Sequence, residues 1–161
     1  MSAVQTLYNA IIMPHLEYCN IVWACNYPTR LEPLFLLQKK AMRIINNADY
    51  LDHSAPLFKK TKNLNIFDIN RLQLGTFMYK FIKSELPASM KFDFTLKTDV
   101  HGHSTRHCSD LQIKYYRTNM RSFSISVAGP KLWNSVNINL KSKITTNSFK
   151  NNYKRSLLAN Y

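Results

Sequence analysis

"SFSISVAGPKLWNSV", residues 122–136, decides how the second half of the chain is read. Phe123, Ile125 and Val127 alternate with Ser122, Ser124 and Ser126, and a period of two predicts a strand. Gly129-Pro130 then reads as the place where that strand stops and the chain turns back. Upstream, "LQIKY" alternates Leu111, Ile113 and Tyr115 against Gln112 and Lys114, a second strand, and "YRTNMR" with Asn119 supplies the loop. The stretch therefore predicts a small antiparallel β-hairpin over about 111–127. A lone hairpin is marginal and needs a lid. Leu132, Trp133 and Val136 are expected to cover its apolar face, with Trp133 a core anchor. Trp23, the other tryptophan, is expected to anchor the first half.

Elsewhere the period is helical. Val4, Leu7, Tyr8 and Ile11 share one face of an opening helix. In "LEPLFLLQKKAMRIINNA", Leu34, Leu37, Ala41 and Ile44 or Ile45 make an apolar stripe. Lys39, Lys40 and Arg43 lie on another face, and Asn46 and Asn47 are the expected terminators. Asn65 is placed to N-cap a buried helix with Asp68 in its first turn, and Pro87 stops it. The closing stretch "NSFKNNYKRSLLANY" stripes Phe149, Tyr153 and Leu157, with Lys150 and Lys154 on another side. The fold expected is mainly α: a helical domain with one small hairpin and a C-terminal helix. Residues 1–90 form a helical region, and 91–161 a basic loop, hairpin and C-terminal helix packed with the first as one unit.

Charge narrows the function. There are 22 Lys+Arg against 9 Asp+Glu, a net of +13. Residues 1–53 are balanced, whereas 101–161 carry ten basic groups and one acid, Asp110. Such a field favours a polyanionic partner. Lys114, Arg117 and Arg121 surround Tyr115 and Tyr116, and Lys131 sits near Trp133. Cations neutralise phosphates and aromatic faces stack on bases, so these residues are the expected contacts to RNA or an RNA–DNA hybrid. Lys39, Lys40 and Arg43 form a second expected patch.

Catalytic signals are weak. Two-metal phosphoryl transfer needs carboxylates clustered within reach of two ions that lie about 4 Å apart. The nearest pair, Asp49 and Asp52, reads as helix-end punctuation. His101, His103, His107 and Cys108 are zinc-ligand types at poor spacing, so no metal site is expected there. No G-x-S-x-G elbow, Gly-rich phosphate loop or Cys-x-x-Cys occurs. No catalytic residue, cofactor or small-molecule substrate is expected. Three widely spaced cysteines, Cys19, Cys25 and Cys108, predict an intracellular chain with no disulfide framework. No apolar run approaches the ~20 residues that span a bilayer, and no membrane partner is expected.

Several blocks resemble one family in order. "LYNAIIMPHLEYCNIVW", "LQKKAMRII", "HSAPLF", "LPASM", "STRHC", "GPKLWNSV" and "SFKNNYKRSLL" are similar to the region after the catalytic palm in reverse transcriptases of non-LTR, LINE-type (Jockey-like) retrotransposons. The resemblance implies that residues 1–90 are thumb-like. It implies that the chain is the non-catalytic C-terminal portion of an RNA-directed DNA polymerase, gripping template and primer. The family's catalytic aspartates belong to an upstream palm, which would be this chain's partner within a longer polyprotein. Through the "STRHC" match, Arg106 joins the expected nucleic-acid contacts. The alternatives are a helical protein-interaction module, or an inert remnant of a truncated element.

Overall fold

The computed structural model describes residues 2–87, 94–100 and 110–161. Of these, 69% are helical, and no sheet forms among them. The chain divides into two compact units: residues 1–72 with 151–161, and residues 73–150. Unit 1 is thus assembled from two separate pieces of chain, and unit 2 is continuous.

Unit 1 begins with α1 (Ala3–Leu7), whose N-cap Ser2 accepts the Gln5 N–H at 3.2 Å. A π-helical turn (Tyr8–Ile12), α2 (Met13–Glu17) and α3 (Asn20–Trp23) follow. Then come α4 (Pro28–Asn46) and α5 (Ser54–Thr61). Pro28 opens α4 at a position where a missing N–H costs nothing. Tyr8, Met42 and Phe58 pack as one cluster, with Met13, Phe35, Ala41, Ile45, Leu57 and Tyr161 around it.

The buried face of α4 is not the expected one. Leu31, Gln38 and Met42 are buried, with Phe35 and Ile45 half-buried on the same seam. Leu37 and Ile44, expected in the core, are 61% and 66% exposed. The reason is Gln38. Its Nε2 donates to the Tyr8 hydroxyl and the Leu64 carbonyl, both at 3.0 Å, and its Oε1 accepts the Ile66 N–H at 2.9 Å. A polar side chain at the centre of the seam, with three bonds made, hides that seam from a hydrophobicity pattern.

Gln38 thereby meets the start of α6 (Ile66–Ile82). Asn65 is its N-cap, as the sequence predicts: Asn65 Oδ1 accepts the Asp68 N–H at 2.9 Å. Asn65 Nδ2 donates to Asp68 Oδ2, also at 2.9 Å. Tyr161 completes the cap, its hydroxyl accepting the Asn65 N–H at 3.0 Å and donating to Asp68 Oδ2 at 2.6 Å.

Helices α4, α5 and α6 end alike. Asn47, Lys62 and Ser84 each take a left-handed conformation, with φ of 50°, 56° and 55°. The following N–H bonds five residues back: Ala48 to Arg43, Asn63 to Phe58 and Glu85 to Lys80. These are Schellman stops, usually closed by glycine. With three glycines in the chain, other residues hold them.

Unit 2 contains the C-terminal part of α6, α7 (Lys97–Val100), α8 (Asn119–Ser122), α9 (Ile125–Ser135), α10 (Ile138–Lys141) and the start of α11 (Thr146–Ala159). The expected hairpin is absent. Leu111 makes a single antiparallel bridge, to Leu96. Its other edge is taken by the Asn134 side chain, which accepts the Leu111 N–H at 3.0 Å and donates to the Leu111 carbonyl at 2.9 Å. An amide side chain carries the donor and acceptor of a peptide group, so it stands in for a neighbouring strand.

The expected second strand is instead the start of α9. Gly129 and Pro130 do not end an element; they lie inside this helix. A six-residue alternation is too short to exclude a helix, and the apolar residues continue at helical spacing through Val127, Pro130, Trp133 and Val136. Proline in a helix loses a hydrogen bond and clashes with the preceding residue's Cβ. Gly129 has no Cβ. Added there, it would meet Met78 Sδ at 2.6 Å. Trp133 is 5% exposed. It covers no hairpin, but packs edge-on to Tyr79 and tilted to Phe149, centroids 6.4 and 5.9 Å apart. Tyr79 and Phe149 stack at 4.6 Å.

Candidate nucleic-acid interface

The expected contacts at 114–131 follow an irregular course in place of a hairpin. Lys114 is half-buried and Tyr115 is 88% exposed on the extended segment after Leu111. Arg117 is exposed just before Thr118, whose hydroxyl caps α8 by accepting the Arg121 N–H. Arg121 is exposed on α8 and Lys131 on α9. Arg106 and the His101, His103, His107, Cys108 cluster lie outside the described residues.

On α4, two of the three expected cations have structural tasks. The Arg43 Nε and a terminal nitrogen both donate to the Asp52 carbonyl, at 3.1 and 2.9 Å, and the guanidinium lies 5.8 Å from the Tyr50 ring centre. Lys39 Nζ sits 4.1 Å from the Phe35 ring centre. Lys40 is exposed. Asp52 Oδ2 accepts the Asp49 N–H at 2.9 Å, so this carboxylate closes a local turn. Trp23 is half-buried, its indole N–H donating to the Tyr18 carbonyl at 2.8 Å.

The sequence reading missed a groove in unit 1. Lys59 and Lys62 at the end of α5 line it with Lys154 and Arg155 of α11. Its volume is about 680 Å³. Asn151 is its neutral polar group; Leu158 and Ala159 are its apolar lining. Lys59 Nζ donates to the Tyr161 carbonyl at 3.2 Å, which holds the ammonium in place. The signal was present in "FKKTK" and "NYKRS", but their proximity is tertiary. No period joins segments so far apart in sequence.

Unit 1 also carries an apolar groove of about 250 Å³. Val4, Leu7, Ile11 and Ile12 face Ala41 and Ile44 across it. Among the described residues, no helix is long and apolar enough to cross a membrane.

No family model, curated protein or solved structure matches this chain.

Proposed function

We propose that this chain is a non-catalytic, nucleic-acid-binding portion of a reverse transcriptase of the non-LTR retrotransposon kind, and that it grips RNA or RNA–DNA hybrid. One observation carries the binding reading. Residues 111–161 hold nine basic side chains and no carboxylate, and Arg117, Arg121 and Lys131 among them are exposed. Tyr115, beside them in sequence, offers an exposed face for a base. The seven ordered sequence blocks support the family. Chemistry, on this reading, belongs to carboxylates of an upstream palm, and this chain needs no cofactor.

The test is hybrid binding across a KCl series. Each phosphate contact contributes roughly 0.7–0.9 to the slope of log K against log salt. Arg117→Ala with Arg121→Ala should lower that slope by about one to two, alike for different sequences. A parent slope near zero would sink the reading. The apolar groove of α1 and α4 favours a second reading, a protein-docking module, for which a near-zero slope is the expected result.

A further inference from the structure

We infer that the groove between the end of α5 and the second half of α11 is a binding site for the phosphodiester backbone of a nucleic-acid duplex. The inference shares its ligand class with the function proposed above but stands on other residues, all in unit 1. Four cations converge from two distant segments, Lys59 and Lys62 on one side, Lys154 and Arg155 on the other. Among the described residues, no acidic or aromatic side chain lines the groove, and Lys62, Lys154 and Arg155 form no ion pair. Gathering like charges is unfavourable, and an anion between them relieves it.

Helix polarity does not account for this arrangement. It favours Lys59 in the last turn of α5. It gives no reason for Lys154 and Arg155, since the last turn of α11 has no basic residue. Lys62 is the C-cap of α5, where polarity also favours a cation, in a left-handed position, φ 56°, that glycine fills without strain.

The lining also selects the form of the ligand. Sites for single strands combine cations with aromatic platforms on which bases stack. This groove offers ammonium groups, one guanidinium fork and the Asn151 amide, which suit phosphate and sugar oxygens. Bases already stacked within a duplex need no platform. Lys59 spends one N–H on Tyr161 and keeps two for a ligand. Binding is therefore indifferent to sequence.

The experiment follows fluorescence anisotropy of a short labelled RNA–DNA hybrid of mixed sequence through a KCl series. The matched single strand and vesicles of phosphatidylcholine with phosphatidylserine serve as further probes. A Lys59→Gln/Lys154→Gln/Arg155→Gln variant should lower the hybrid's salt slope by roughly 2–3. Lys62→Gly should lower it by about one while raising the thermal midpoint, which separates lost contact from lost fold. If the triple variant does not fold, Lys62→Gly decides alone. Unchanged hybrid slopes overturn the inference. So does a loss confined to the single strand, or one confined to the vesicles. An Arg117→Gln/Arg121→Gln pair keeps the two claims apart. If only that pair lowers the slope, the groove is wrong and the function proposed above stands; if only the groove variants do, the groove stands and the contacts at Arg117 and Arg121 are wrong.

Discussion

Gln38 shows how one side chain can redirect a helix. It is buried, and its three hydrogen bonds serve groups from two other segments of unit 1, at Tyr8 and at Leu64–Ile66. Gln38→Leu adds apolar volume yet leaves the Ile66 N–H and the Leu64 carbonyl unpaired. Each such group costs about 1–3 kcal/mol, so the variant should be less stable than its parent, read as a lower urea midpoint. Trp133→Ala should cost about 3–5 kcal/mol, seen in the thermal midpoint. Gly129→Ala sets two effects against each other. Alanine favours a helix by up to about 1 kcal/mol, but its Cβ would meet Met78 Sδ at 2.6 Å, and Met78 is fully buried. Overpacking of this kind costs about 1–3 kcal/mol, so a net loss is expected. In a Met78→Ala background the loss should shrink to the part due to the proline clash, which a double-mutant cycle measures. Some of this was legible. Asn65 with Asp68 three residues on is a local cap signal, and the structure forms it. Tyr161, which finishes the same cap, was not, because its partners are remote in sequence.

Among the elements, α9 taught most about what a pattern can hold. "SFSISV" satisfies a strand over six residues, and only the next nine reveal the helix. Gly-Pro then misleads, since it usually marks a break. Here the glycine removes the clash between the proline ring and a preceding Cβ, and the burial of Val127, Pro130 and Trp133 offsets the lost hydrogen bond. The place of α4, α6 and α11 follows from their periods; the hairpin did not, because two short alternations say nothing about whether they pair. The Schellman stops are a second feature of this scale. A left-handed backbone costs a non-glycine residue roughly 1–2 kcal/mol. Ser84→Gly touches no core contact and should recover up to about 1 kcal/mol of that, as a higher thermal midpoint. An unmoved or lower midpoint would show that Ser84 carries no such strain.

At the scale of the molecule, the titration of buried tyrosines sets an alkaline limit. Burial pushes the hydroxyls of Tyr8, Tyr79, Tyr153 and Tyr161 above the ordinary tyrosine value, which is about 10. A group raised in the folded state gives stability that is fully present below its unfolded value and lost as pH climbs through its folded one. Burial lowers the Lys141 ammonium, so this one group works in the opposite direction. The four tyrosines outnumber it, and stability should fall as pH rises above about 10. In a variant whose five other tyrosines are Phe, tyrosinate absorbance should rise together with the loss of helical circular dichroism. Tyrosinate appearing there well before the helix signal falls would mean that the four buried rings ionise in the folded chain.

The two-piece construction of unit 1 has a consequence for the order of events during synthesis. Residues 1–72 leave the ribosome without 151–161, and so without Tyr153, Leu157 and the hydroxyl that closes the start of α6. Roughly eighty residues of unit 2 must be made first. At about 5–20 residues per second, that delay is on the order of 4–16 s. Unit 2 is contiguous and can close as soon as it emerges. The earlier-made unit is therefore the later one to mature, and a released chain that stops at residue 150 should resist protease more over residues 73–150 than over 1–72.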